Sequence, residues 1–410
     1  MEARGRVGGR IYTVHDPLSP LPNELGAEFI HGRPPEIWNL VRSRGLNVYD
    51  VTDQAVHIRD GVIQREQDAW EPVNQIMSAM AKAAQHGPDE PFAEFLRRTD
   101  YPEDAIELSS NFVEGFNAAR KEIIGIASLA KDQAASEQID GDRSFRFSNG
   151  YDSIAFALLN EVSDSRSKLK LNTVVTGVTW RPGAVTIETR STLTGETATV
   201  HAHQLIVTVP LGVLQAKSSS AGAIDWDPLP AKTLESAAAL AFGQVYRVVL
   251  RFREAFWEDK PGLADAGFLL SNEATFPTWW TPRAVHAPLL TGWSAGPHAD
   301  AILGRTQEEV VACSLAALAR LTQTDATQIR CLLEQASFHD WYSDPFARGA
   351  YSYVPAGKLG DRARLAEPVE NTLYFAGEAT ELNGHSATVH GAIASGKRAA
   401  AQVIASQGRA

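Results

Sequence analysis

The stretch Asn371 to Ala400, NTLYFAGEATELNGHSATVHGAIASGKRAA, says most about how this chain folds. A short apolar strand, Leu373 to Ala376, runs into Gly377-Glu378, and after a loop His390-Gly391-Ala392 opens an apolar helix. That layout aims backbone N–H groups and the positive end of a helix dipole at one point, which suits the diphosphate of a dinucleotide. The same stretch contains a decoy, because Gly391 to Lys397 spells Gly-x-x-x-x-Gly-Lys. A phosphate-binding P-loop needs Ser or Thr next, to hold magnesium, and Arg398 stands there instead. The glycines are expected to allow close helix packing, with Lys397 and Arg398 in solvent.

Composition bounds the rest. At 410 residues, 44% apolar and 21% charged, the chain can bury a large core and is expected to hold two domains. No window approaches 18 or so consecutive apolar residues and no basic stretch leads into an apolar run at the start, so neither a membrane span nor a leader is expected and a cytoplasmic location is the default. The net charge of -11 disfavours nucleic acid and anionic membranes as partners and mildly attracts cationic substrates. Cys313 and Cys331 are too few for a disulfide framework or a zinc cluster; both sit in helix-like sequence and are expected to be buried, inert thiols. No metal site is expected.

Along the chain, Arg10 to Val14 reads as a strand, and Glu24 to Gly32 (ELGAEFIHG) as a strand end turning into the loop before a helix near Pro35 to Arg44. Val51 to Arg65 alternates like a small β element. From Trp70 to Ala135 apolar residues recur at three and four, as in a mostly helical insertion. A helix is expected over Tyr151 to Val162, then two alternating segments, LKLNTVVTGVTW and AVTIET, and a continuous apolar strand, LIVTVP (Leu205 to Pro210). A second excursion, from about Gln215 to Pro355, includes the β-branched, alternating VYRVVLRF (Val245 to Phe252), a Trp-rich strand region and the helix-like VVACSLAALARLTQ.

Taken with the opening Met1 to Arg10, MEARGRVGGR, these segments resemble the flavin-containing amine oxidases, a family that includes monoamine, polyamine and histone-demethylase-type oxidases. The matches run in order over nearly the whole chain: MEARGRVGGR, ELGAEFIHG, NTVVTGV, GQVYRVVLRFREAFW, WYSDPFARGAYSYVPAG (Trp341 to Gly357) and the closing segment. The family's Gly-x-Gly-x-x-Gly turn should precede its ribose-binding acid by about 20 residues. Here that acid is Glu2, no room precedes it, and Gly5, Gly8 and Gly9 have the wrong spacing. The resemblance is therefore to an α/β amine oxidase whose discontinuous Rossmann-like FAD-binding domain (1–50, 145–214 and 356–410) starts one βα unit late, beside an α+β substrate domain with a helical insertion (51–144 and 215–355).

Residue by residue, the resemblance implies Glu2 on the ribose, Arg4, Gly8, Gly9 and Arg10 around the diphosphate, and Gly26, Ala27 and Glu28 at the flavin edge. Val174 would flank the adenine, Glu378 would accept hydrogen bonds from the ribityl-diphosphate region or cap local backbone, and Thr388 and Val389 would sit by the pyrimidine end. Tyr351 matches one wall of the aromatic cage that holds the amine in some relatives, or is an ordinary strand aromatic; the second cage position is Thr388. Ala350 falls where covalently flavinylated relatives place cysteine, so FAD is expected to be held without a covalent bond. Arg247 stands where the family usually has a lysine holding a water near flavin N5. Arginine keeps its charge and accepts no proton. It could anchor a water, stabilise reduced flavin, pair with Glu28 or face solvent. His31 matches a tunnel histidine of polyamine-oxidising relatives or is a satisfied loop histidine. Trp279, Trp280 and Trp293 line an amine pocket or fill the core.

The reading these residues imply is oxidation of a small primary or secondary amine to an imine, with dioxygen as acceptor and hydrogen peroxide released. Two alternatives stay open. A decayed relative would fail to hold FAD. An L-amino-acid oxidase would place an arginine just after the Glu-Leu-Gly-Ala turn to clamp the substrate carboxylate, and this chain has Glu28-Phe29.

Overall fold

In the computed structural model, which describes residues 1–51, 54–59, 61–64, 66–162 and 167–407, the chain forms a mixed α/β fold with several sheets. The largest sheet has seven strands, in the order Leu333–Phe338, Val245–Phe252, Leu289–Ala295, Thr278–Trp280, Phe268–Ser271, Ala55–Arg59 and Val62–Gln64. All pairings are antiparallel except that of Phe268–Ser271 with Ala55–Arg59. The strand Val245–Phe252 coincides with the alternating run. Successive side chains point to opposite faces, so Tyr246, Val248, Leu250 and Phe252 enter one apolar core with Trp257 and Trp279, while Arg247 and Arg251 share the other face. Gly292 sits across the Trp279 ring, where an added Cβ would lie 2.8 Å from ring carbons. Helix Gln307–Thr322 covers this core, opened by a capping box between Thr306 and Glu309.

The helical insertion is four helices, Glu66–His86, Phe92–Arg97, Glu103–Asn117 and Ile126–Glu137, packed about Ile76, Met80, Phe92, Val113 and Ile126. The β element before it is the hairpin Ala55–Arg59 and Val62–Gln64; Arg65 lies outside the described residues.

The half of the molecule facing these two units combines one longer meander with strands of two to four residues that are far apart in sequence. Leu205–Val207 runs parallel to Leu373–Phe375, and Ile30–His31, Ser144–Phe147 and Val48–Asp50 form a three-stranded sheet. The expected alternating segments become Thr173–Arg181 and Ala184–Ser191, joined by Thr197–Ala202 and, in parallel, by Asp225–Asp227. The segment Arg10 to Val14 contributes only Thr13–Val14 as strand. The carbonyls of Arg10 and Tyr12 instead accept from the N–H groups of Ala27 and Leu25, a crossing so close that a Cβ on Gly26 would meet the Arg10 carbonyl oxygen at 1.9 Å.

Three expectations need correction. Cys331 is exposed and Cys313 only half-buried, its sulfur accepting from Arg305 at 2.9 Å, because helix positions 313 and 331 fall at the edge of the core stripe. Arg398 is not in solvent: it donates to the carbonyls of Ala366 and Phe375 and to the Thr380 hydroxyl, tying helix Val389–Gln407 to the strand before it. Trp279 is wholly buried in the core, whereas Trp280 and Trp293 reach the large cavity. No helix among the described residues is long and apolar enough to cross a membrane.

Candidate active site

A cavity of about 1960 Å3 runs between the short-strand half, the seven-stranded sheet and the helical insertion. Sites for drug-sized ligands occupy about 300 to 1,000 Å3, so this one has room for a dinucleotide and a second molecule together. Glu2, Arg4, Gly8, Gly9, Arg10, Gly26, Ala27, Glu28, Val174, Glu378, Thr388 and Val389 all line it, as do His31, Arg247 and Tyr351.

One end is built for an anion. The opening segment is bonded into the fold beside Val174: the Glu2 N–H donates to the Lys170 carbonyl and the Thr173 N–H to the Glu2 carbonyl. Arg4 takes Glu2 as an acceptor for its backbone N–H at 2.9 Å and sends its guanidinium to Asp344 at 2.7 Å. Burial alone would raise the Asp344 carboxyl, but His339 and Arg4 outweigh it and hold the group down to about 2. Arg10 donates to the Ala350 carbonyl at 2.6 Å and to Glu378 at 2.9 Å. Helix Val389–Gln407 presents its N-terminus to the same cavity, with Gly391 passing so near the His385 carbonyl that a Cβ would sit 1.9 Å from it. Guanidinium groups and a helix N-terminus together suit a diphosphate.

Two cavity-lining residues here are also engaged by neighbouring protein groups. Glu378 is buried, and it accepts from Arg10, from the N–H and hydroxyl of Ser352 and from the Ala387 N–H. A carboxylate has about four acceptor sites, and these four donors fill them, so that Glu378 orients Arg10 and the 387 loop, in line with the backbone-capping alternative. The Thr388 hydroxyl donates to the His385 carbonyl at 2.6 Å and accepts from the Gly391 N–H at 3.0 Å. It caps the helix.

The other end is aromatic. Phe29, Phe116, Trp280, Trp293 and Tyr351 face it. Tyr351 donates its hydroxyl to the Phe116 carbonyl at 2.8 Å, and burial, with Glu378 nearby, pushes its phenol up. His31 lies edge-on to Phe116 and 3.4 Å from the Ser144 hydroxyl, and burial lowers it to about 4, so it is neutral at physiological pH. Arg247 is 4% exposed and bound to Glu28 and to the Gly26 carbonyl, which rules out the solvent-facing alternative.

Sequence reasoning missed Arg146, which sits 2.7 Å from Glu28 on its far side, and His390, a buried cavity-lining imidazole lowered to about 3 by burial and by His385. The only local signal for Arg146 was a charge inside the apolar run SFRF. No group of three or more His, Cys, Asp or Glu among the described residues could hold a metal ion.

The family model for flavin containing amine oxidoreductases matches residues 1–404. Among curated proteins the chain is 26% identical to polyamine oxidase 4 of Oryza sativa subsp. japonica over 98% of this chain and 82% of that protein. It is 32% identical to the human peroxisomal N(1)-acetyl-spermine/spermidine oxidase over 50% of this chain and 43% of the relative, and 35% identical to the lysine-specific histone demethylase 1 homolog 3 of Arabidopsis thaliana over 49% of this chain. The match spans only 12% of that demethylase homolog. Two solved structures share the fold: putrescine oxidase bound to putrescine (TM-score 0.78, 21% identity, 98% of this chain and 92% of that one), and cyclohexylamine oxidase from Brevibacterium oxydans IH-35A (TM-score 0.79, 19% identity, 99% and 93%).

Proposed function

The chain belongs to the flavin containing amine oxidoreductase family, and from that membership we propose that it oxidises a primary or secondary amine with non-covalently bound FAD in the discontinuous domain formed by 1–50, 145–214 and 356–410. The observation that carries this reading is a single cavity with arginines and a helix N-terminus at one end and a wall of aromatic rings at the other. FAD held there would supply a two-electron acceptor for the hydride equivalent on the carbon beside the amine, the resulting iminium being hydrolysed by water, and would pass two electrons and one proton to dioxygen, with a second proton from solvent completing hydrogen peroxide.

The residues supply position and charge control. Arg10 and the N-terminus of helix Val389–Gln407 hold the anionic part of the cofactor, and Val174 packs against its adenosine side. Ala350 carries no nucleophile, which supports attachment without a covalent bond. Phe116, Trp280 and Tyr351 enclose the amine with ring faces, and neutral His31 can accept from or donate to a substrate nitrogen without adding charge. Both guanidinium groups nearest this end are turned to Glu28, which supports amines over amino acids as substrates.

The test is anaerobic mixing of FAD-loaded protein with a panel of primary and secondary amines. The visible flavin band should bleach, air should restore it with one peroxide per turnover, and acid precipitation should release the flavin into the supernatant. A flavin that dithionite bleaches but none of the amines does would overturn the reading; flavin retained on the precipitate would overturn non-covalent attachment.

A further inference from the structure

Two buried arginines share one carboxylate on the wall of the cavity. Arg247 donates to Glu28 and to the Gly26 carbonyl, the latter at 2.7 Å; the Trp280 indole N–H donates to the same Glu28 oxygen at 3.0 Å; and Arg146 lies 2.7 Å from the other oxygen. Arg247 also lies over the Trp280 ring and Arg146 over the Phe29 ring, with centroid distances of 5.4 and 4.8 Å. The Arg247, Arg146 and Glu28 side chains are only 4%, 5% and 11% exposed. Counting charges leaves one positive charge beyond what Glu28 cancels.

The next acid does not remove that excess. Glu24 accepts from the Thr13 hydroxyl and the Tyr151 N–H, each at 2.7 Å, and has no ion-pair partner within 4 Å among the described residues. Burial pushes its carboxyl up to about 8, so near neutral pH it is mostly the uncharged acid. Tyr49 also lies near this group, and burial raises its phenol, so it too stays neutral. Arginine cannot shed its proton, and a charge shielded from water acts far more strongly than one in it.

We propose that Arg247, clamped by Glu28 and Gly26 and backed by Arg146, is a fixed positive charge that raises the reduction potential of the bound flavin by favouring its anionic, two-electron-reduced form. This rests on the cofactor placement proposed above. It assigns Arg247 an electrostatic role that involves no proton transfer, unlike that of a lysine holding an exchangeable water.

The experiment is a reductive titration of FAD-loaded protein against a dye of known potential, using a chemical reductant, for the parent chain, Arg247→Met, Arg247→Lys and Glu28→Gln. Removing the guanidinium should lower the reduction equilibrium constant at least tenfold, which for a two-electron couple is about 30 mV. Removing the carboxylate should shift it in the opposite direction, and Arg247→Lys should stay near the parent. A purely structural role would not produce opposite signs. Equal potentials in all four proteins, or shifts of the same sign in Arg247→Met and Glu28→Gln, overturn the proposal. If Arg247→Met fails to fold, Glu28→Gln still decides, because an unchanged or lowered potential there is enough to reject it. Since the reductant is not an amine, a protein that ignores amines yet shows the opposed shifts loses the functional reading and keeps this one; a protein that takes up no flavin loses both.

Discussion

The seven-stranded sheet and the short-strand half beside the cavity are stabilised by different physics. In the sheet, strands of up to eight residues bury Tyr246, Val248, Leu250, Phe252 and Trp279 in one continuous apolar core, and the ladders satisfy the backbone. In the other half, outside the meander of Thr173–Arg181 and Ala184–Ser191, strands of two or three residues are held by buried carboxyls: Glu24 joins Thr13 to Tyr151, and Glu378 joins Arg10, Ser352 and Ala387. Apolar burial does not respond to pH, whereas Glu24, whose carboxyl is pushed up by burial, does. The half that faces the cofactor should therefore carry the molecule's pH sensitivity.

The largest effect expected from breaking this contrast is in the sheet. Trp279→Ala removes a fully buried ring for which Gly292 leaves the space, and should destabilise the chain by about 3 to 5 kcal/mol in urea unfolding. The loss should be the same at mildly acid and mildly alkaline pH. A loss under about 1 kcal/mol would mean the ring is not part of the cooperative core.

Glu24→Gln addresses the other side. Its folded carboxyl stands at about 8 against 4.5 for the free group, so the folded state holds a proton that the unfolded state releases. Stability from the neutral acid is then fully present below about 4.5 and is lost as pH rises through about 8, by an amount on the order of a few kcal/mol. Glutamine mimics the neutral acid, accepting from the Tyr151 N–H and donating to Thr13, so the variant should lose the decline between about pH 5 and pH 8. An unchanged slope would place the pH sensitivity elsewhere.

Glu378→Gln should have a smaller effect on stability, about 1.5 to 3 kcal/mol, because it keeps an acceptor for Ser352 but turns an amide toward donors that need a carboxylate. Flavin affinity should fall with it, since Arg10 loses its charged partner. Equilibrium dialysis against FAD separates the two: weaker flavin binding at unchanged midpoint in urea would show that Glu378 orients Arg10 without holding the fold.

The sequence by itself determined whatever depends on near neighbours. The period-two run Val245 to Phe252, the three-and-four periodicity of the helical insertion and the strand-to-helix turn of the closing segment each state their own geometry within about ten residues, and the ordered motifs assign the family. Tertiary structure alone decided the partners of charged side chains. Glu378 finds Arg10 368 positions away, and Arg247 meets Glu28 219 positions away, with Arg146 arriving from a third segment on the far side. Nothing local marks such a meeting, because an arginine in an alternating strand reads the same whether it points to water, to a ligand or to a buried acid. Which of these holds is set by the desolvation that the surrounding packing imposes and by the one carboxylate that packing brings within reach.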